Sequence, residues 1–296
     1  MYLSHFGLRE APFALTPNTS LYYGLPPHEE ALQVLNWALA QGEGFIKVTG
    51  EVGTGKTLLC RKLLTELGSE ARPVRLAWLP NPHLNPAELR IALALELGLA
   101  VRDGSELDLT DRIHRHLIGL HQQGQRVVVL IDEAQALPDD TLEAIRLFGN
   151  LETESCKLLQ IVLFGQPELD ARLAKPHLRQ LRQRIGFSYC LRALRLDETR
   201  AYVEHRLHAA GYRGASLFGR RALRLLWRAS RGVPRLINVL AQKCLMLAYG
   251  RGERQIGGKL MRLAIRDTED ASHFSFLRWW PLLLLLGGAL AYGVWS

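Results

Sequence analysis

The sequence predicts an α/β protein: a three-layered parallel sheet holding a phosphate loop, then a small helical domain, then a terminal hydrophobic helix. Three observations carry this. Gly50-Glu51-Val52-Gly53-Thr54-Gly55-Lys56-Thr57 has the form GxxxxGK[ST], between an apolar, β-leaning run (Phe45–Thr49) and leucines at helical spacing (Leu58, Leu59, Leu63, Leu64, Leu67). Apolar runs of strand length alternate with amphipathic stretches as far as residue 191, the pattern of a parallel sheet covered on both faces. From Arg192 the strand pattern stops. The expected division is therefore a core at 1–191, helices at 192–271, and a juxtamembrane and membrane-spanning segment at 272–296.

The elements follow in order. Residues 1–27 mix Pro12, Pro17, Pro26 and Pro27 with Phe6, Phe13, Tyr22 and Tyr23, which predicts an irregular segment pinned to a domain by its aromatics. A helix is expected over about His28–Gln41. Val74–Leu79 reads as a strand closed by Pro80-Asn81-Pro82. Asn85-Pro86-Ala87-Glu88 starts a helix with a cap, a proline in the first turn and an acid at the third position. A further helix is expected over about Thr110–Gln123. Val127–Ile131 is a strand buried on both faces, ending in Asp132 and Glu133. Asp139–Leu151 is amphipathic, Leu158–Phe164 is a strand, Leu178–Arg184 is a basic helix, and Phe187–Leu191 is the last strand. Asp197–Ala210 reads as a helix capped by its aspartate, followed by Phe218–Ser230 and Pro234–Tyr249.

Composition narrows the partners. The chain has 296 residues, a formal charge of +8 and 48% hydrophobic residues, enough for a sizeable core and against a disordered chain. The basic balance suits nucleic acid or an anionic membrane surface. Cys60, Cys156, Cys190 and Cys244 form no CxxC pair; three of them fall in apolar runs, which reads as reduced, buried thiols of a cytosolic fold. The histidines form no HExxH, and His114 and His116 read as surface positions rather than metal ligands. The N-terminus lacks the basic and apolar regions of a signal peptide.

The loop chemistry is specific. Glycines at 50, 53 and 55 let successive N–H groups turn inward around a phosphate, and the following helix adds its positive end. Gly50, Glu51, Val52, Gly53, Thr54, Gly55, Lys56, Thr57 and Leu58 are thus the expected ATP-binding residues. Lys56 reaches the β- and γ-phosphates, while Thr57 and Asp132 serve Mg²⁺. Glu133 is the candidate general base for the attacking water. Gln166, just past its strand, is placed to touch the γ-phosphate or that water; a turn residue before Pro167 is the alternative.

These features together resemble an AAA+ ATPase with a helical lid. His5-Phe6-Gly7-Leu8, Pro12-Phe13, Asp132-Glu133-Ala134-Gln135, Gly165-Gln166-Pro167-Glu168-Leu169, Gln183-Arg184-Ile185 and Gly232-Val233-Pro234-Arg235-Leu236-Ile237-Asn238 occur in the order seen in the ExeA/GspA secretion ATPases. The run from Phe45 to Lys62 is particularly similar to the branch serving mannose-sensitive haemagglutinin (MSHA) type IV pilus biogenesis. The resemblance covers roughly residues 1–270. It implies ATP hydrolysis in an ATP-dependent homo-oligomeric ring. Gln166 then corresponds to the first sensor and Arg235 to the second. Arg184 corresponds to the arginine finger given to a neighbouring subunit, with Arg179 and Arg182 on the same helix as alternatives. The partners implied are inner-membrane pilus or type II secretion assembly proteins.

Trp279–Trp295 carries no charge over 17 residues, about 25 Å as a helix. With Phe276 and Leu277 it approaches the length of one span, flanked by aromatics suited to the interfaces. Lys259, Arg262, Arg266 and Arg278 precede it, which expects a single-pass inner-membrane protein with its ATPase body in the cytoplasm. An apolar helix docked on the body or in an oligomer seam is the alternative for this segment. For the whole chain, one alternative is a DNA-binding ATPase of the transposition-targeting type, using arginines such as Arg179, Arg182, Arg184, Arg192, Arg195, Arg220, Arg221, Arg224 and Arg228. A nucleotide-gated scaffold is another, against which the intact Glu133 argues.

Overall fold

A computed structural model describes residues 1–14, 24–69, 73–80, 83–101, 106–152 and 156–271. Five strands form one wholly parallel sheet: β1 (Phe45–Gly50), β2 (Val74–Leu79), β3 (Arg126–Ile131), β4 (Gln160–Gly165) and β5 (Phe187–Leu191), in the order β2-β3-β4-β1-β5. The helices linking them are α2 (Pro26–Ala40), α3 (Lys56–Gly68), α4 (Pro86–Glu96), α5 (Glu106–Gln122), α6 (Asp139–Phe148), α7 (Pro167–Leu173) and α8 (Arg179–Arg184); α1 (Tyr2–Phe6) precedes them.

The three layers follow from strand periodicity. Val127, Val129 and Ile131 of β3 face one side, with Ile161 and Leu163 of β4. There they pack against Leu89, Leu93, Ile113, Leu117, Leu142 and Ile145 of α4, α5 and α6. Val128 and Leu130 face the other side, where Leu35 and Leu39 of α2 and Leu59 and Leu63 of α3 cover them. Successive residues of a strand point to opposite faces, so a continuous apolar run is what a doubly covered strand requires. Edge strand β5 alternates instead, which leaves Cys190 exposed; Cys156, in the connection before β4, is half-buried, while Cys60 and Cys244 are buried thiols. Burial pushes the thiol of Cys244 up to about 12.

The remaining helices are α9 (Leu196–Ala209), α10 (Arg220–Ser230), α11 (Pro234–Gly250) and α12 (Gly258–Arg266). Internal contacts group Met1–Ala14, Arg195–Gly232 and the described part of Leu236–Ser296 into one compact unit. The described part of Leu15–Leu194, with Val233–Arg235, forms the other. The first fourteen residues, expected with the sheet, thus pack with the helices. Phe13 stacks edge-on to Phe218 at 6.2 Å, and buried Arg206 donates through Nε to Pro12 O at 2.6 Å. A guanidinium beside proline-interrupted backbone supplies donors to carbonyls that no helix satisfies.

Two further details differ from the sequence reading. Helix α9 starts one residue early; Asp197 lies inside its first turn, and the Glu198 carboxylate accepts from Arg195 N at 2.7 Å. Helix α12 falls where no helix was expected. Among the described residues no helix is long and apolar enough to cross a membrane; Trp279–Trp295 lies outside them, as do Pro17, Tyr22, Tyr23, Asn81 and Pro82.

Candidate nucleotide site

Parallel strands deliver their carboxyl ends to one edge of the sheet. Register pairs Val48 with Phe164 and Ile131 with Leu163, so Gly50, Gln166 and the Asp132-Glu133 pair emerge side by side. This edge is where open α/β sheets bind ligands.

The loop after β1 has the shape of an anion cradle. Gly53 and Gly55 hold φ of 82° and 99°, angles that L side chains rarely adopt. Neither has room for a side chain: a Cβ on Gly53 would sit 2.6 Å from Arg235 Cβ, and one on Gly55 would sit 2.8 Å from the His28 ring. The first helical bond of α3 runs from Leu59 N to Gly55 O at 2.9 Å. The amides before it make no intrahelical bond and face an anion-binding position, with the helix dipole behind them.

Lys56 is 4% exposed; its Nζ donates to Gly50 O at 2.8 Å and Glu51 O at 3.1 Å. Burial holds its pKa below the ordinary value, opposed by the charges of Glu133, Asp132, Glu51 and Glu168. Asp132 is 3% exposed, and burial raises its pKa, opposed chiefly by hydrogen bonds from the Thr57 hydroxyl and the Glu133 N–H. The Thr57–Asp132 pair offers the hard oxygen ligands that Mg²⁺ takes alongside phosphate oxygens. A cradle of amides, a lysine and this oxygen pair fit a magnesium nucleoside triphosphate.

Glu133 occupies the left-handed region at φ 53°, a conformation uncommon outside glycine that costs of order 1 kcal/mol. Its Oε2 accepts from Gln135 Nε2 at 2.6 Å and from Gln166 Nε2 at 3.0 Å, while Gln135 Oε1 accepts from Gln166 N at 3.0 Å. Arg172 steadies the turn behind, donating to Gln135 O at 2.6 Å and to the Asp139 carboxylate. Two amides thus aim one carboxylate oxygen at the carboxyl edge. Gln135 stands within the Asp132–Gln135 motif, but its reach back to Glu133 is not readable from the sequence.

His28 was also missed. It is 2% exposed, its Nε2 lies 2.9 Å from Thr54 O, and burial lowers its pKa. The imidazole forms the floor beneath Gly55. Arg235 groups with the sheet unit and its N–H donates to Gly53 O at 3.2 Å, so the structure brings it to the loop. Arg184 is different. It ends α8 at the entry to β5, the opposite edge of the sheet, where its Nη1 lies 3.4 Å from Arg146 O.

Comparison with known proteins places the chain among relatives of this fold. Residues 39–173 match an AAA domain model. General secretion pathway protein A of Aeromonas hydrophila is 44% identical over 257 residues, which cover 86% of this chain and 46% of that protein; the chain spans a little under half of its relative. Among solved structures, the Aeropyrum pernix ORC2 protein in ADPNP–ADP complexes superposes with a TM-score of 0.61 at 18% identity, covering 89% of this chain and 72% of that one. Cdc6p from Pyrobaculum aerophilum gives 0.64 at 19%, covering 86% and 69%. At such identities these structures speak to fold alone, and the fold is that of an AAA+ ATPase.

Proposed function

The chain belongs to the ExeA/GspA-type family of AAA+ ATPases, and on that premise we propose that it binds ATP with Mg²⁺ and hydrolyses it to ADP and phosphate. The observation that carries this reading is the doubly hydrogen-bonded Glu133 carboxylate standing beside Lys56, Thr57 and Asp132 at one sheet edge.

The roles follow from chemistry. Residues Gly50–Leu58 hold the phosphates, and Lys56 exchanges its carbonyl partners for phosphate oxygens. Thr57 and Asp132 hold Mg²⁺, which supplies charge neutralisation between phosphates. Glu133 takes the proton of the attacking water, its free oxygen aimed by Gln135 and Gln166. Arg235, beside Gly53, meets the nucleotide from the start of α11. Arg184, at the far edge, is suited to a neighbouring subunit's nucleotide, where a planar, permanently charged fork stabilises spreading charge.

The Glu133→Gln variant tests the assignment. It keeps the volume and hydrogen-bonding capacity, so binding of a fluorescent ATP analogue should persist while phosphate release falls by about 10²–10⁴. Unchanged turnover would refute it.

The wider reading is that this ATPase works as a ring attached to the inner membrane, serving assembly of an MSHA-like type IV pilus or a type II secretion machine. The likeness to a general secretion pathway protein and the uncharged run Trp279–Trp295 support it. Sedimentation of the full-length chain with washed membranes, resistant to salt, is the expected result. A fully soluble chain would count against it.

A further inference from the structure

In α10 every exposed residue is an arginine (Arg220, Arg221, Arg224 and Arg228), and in α12 every exposed residue is a cation (Lys259, Arg262 and Arg266). The two helices pack together: Leu223 and Leu226 of α10 and Leu260 and Met261 of α12 are buried, and the Arg221 side chain lies against Gly258 at the start of α12. We propose that this two-helix cationic face is a binding surface for the phosphates of anionic lipid headgroups.

A merely solvated helix looks otherwise, and α9 in the same unit shows how. It carries Asp197, Glu198 and Glu204 among its cations, with Arg200 Nε 3.0 Å from Glu204 Oε1 at the favourable i,i+4 spacing. Helix α10 instead repeats like charges at that spacing through Arg220, Arg224 and Arg228, an arrangement that weakens an isolated helix. Its first turn also holds two arginines and no acid, against the dipole. Both penalties vanish when an anionic surface lies opposite. Arginine is moreover the residue whose fork matches a phosphodiester in two hydrogen bonds.

Continuity of the chain selects lipid as the source of phosphate. Only residues 267–278 separate α12 from the uncharged run Trp279–Trp295. This step rests on the membrane reading above: a chain whose next segment enters a bilayer holds α12 near the headgroups, where each cation strengthens association about fivefold.

The test uses the full-length chain and flotation with vesicles of phosphatidylcholine alone or in equal mixture with phosphatidylglycerol. The readout is the ratio of lipid concentrations giving half-flotation on the two. Wild type should favour the anionic vesicles strongly, and the favour should shrink with salt. The triple variant Arg224→Gln, Arg262→Gln, Arg266→Gln should reduce that ratio by about a hundredfold, at fivefold per cation. It should leave flotation on neutral vesicles and ATP hydrolysis unchanged. The corresponding triple Arg→Lys variant keeps the charge, so it should retain most of the ratio and show that the helices still fold. An unaltered ratio in the glutamine variant would overturn the proposal. If wild type floats only on the anionic vesicles, and the three arginines still set its half-flotation concentration there, the anchor is removed and the face remains. If instead the substitutions abolish a salt-sensitive affinity for duplex DNA and leave the lipid ratio intact, the face serves nucleic acid.

Discussion

At the scale of single residues, chemistry turns on how one carboxylate is aimed. Glu133 is singled out as the candidate base because an acidic pair closes an apolar strand downstream of a phosphate loop. Gln135 is not, because an amide two positions away reaches back only when Glu133 adopts its left-handed φ of 53°, which no sequence pattern announces. If the amides orient the carboxylate, Gln135→Ala should lower kcat roughly ten- to hundredfold with KM little changed, by steady-state kinetics. A rise in KM at constant kcat would assign Gln135 to ground-state binding instead. His28 escaped notice for a different reason: its partner, Thr54 O, is remote in sequence. Burial lowers its pKa from the ordinary 6.5, so the unfolded chain binds the proton more readily than the native one. Native stability therefore rises with pH through that interval and is lost on acidification below about 6.5. His205, lowered by burial, acts in the same direction, while Asp132, raised by burial, acts oppositely at lower pH. His28→Gln keeps a donor for Thr54 O and removes the titration. Its drop in melting temperature between about pH 7.5 and about pH 5.5 should be smaller than that of wild type. An equal drop would show that His28 does not carry the effect.

At the scale of elements, local signals succeeded where the element's own residues decide the outcome. Asn85-Pro86-Ala87-Glu88 forms a reciprocal cap: Asn85 Oδ1 accepts from Glu88 N, and Glu88 Oε2 accepts from Asn85 N, both at 2.9 Å. Asn85→Ala should destabilise the chain by about 1 kcal/mol, seen as a lower denaturation midpoint at unchanged slope. No change would mean that α4 is held by Leu89 and Leu93 alone. A second local signal misled: Asp197 looked like a cap, yet the chain enters α9 a residue earlier, with Glu198 reaching back to Arg195. Signals failed where a neighbour decides. Helix α12 is short and opens at Gly258 after Gly257, so its propensity is poor. Packing of Leu260, Met261 and Ala264 forms it, and that partner surface is invisible in its own residues. Strand β5 kept its expected bounds, but its exposed cysteine reflects an edge position that composition could not reveal.

At the scale of the molecule, the parallel sheet was readable because doubly covered strands must carry continuous apolar runs, and β3 does over Val127–Ile131 and β4 over Ile161–Phe164. The grouping of Met1–Ala14 with the helices was not, since it depends on contacts remote in sequence: the Arg206 guanidinium of α9 reaching Pro12 O and Ala14 O, Phe13 against Phe218, and Arg9 N donating to Ala210 O. The two arginines nominated by resemblance separate by the same geometry. Arg235 lies beside the loop, whereas Arg184 enters the sheet where β5 begins, at the opposite end of the strands from the chain's own phosphate cradle. A residue so placed is suited to the site of another copy, and on the proposed reading hydrolysis then depends on the assembly. Arg184→Ala subunits keep an intact cradle and lack the finger; Lys56→Ala subunits lack the cradle and keep the finger. Each alone should hydrolyse ATP far more slowly than wild type, and mixing them should restore part of the rate, because every junction of the right order joins one good cradle to one good finger. Restoration should grow with protein concentration as mixed assemblies form. If mixing restores nothing while co-purification shows that the subunits associate, Arg184 does not act across the interface, and Arg182 or Arg179 on the same helix becomes the residue to exchange.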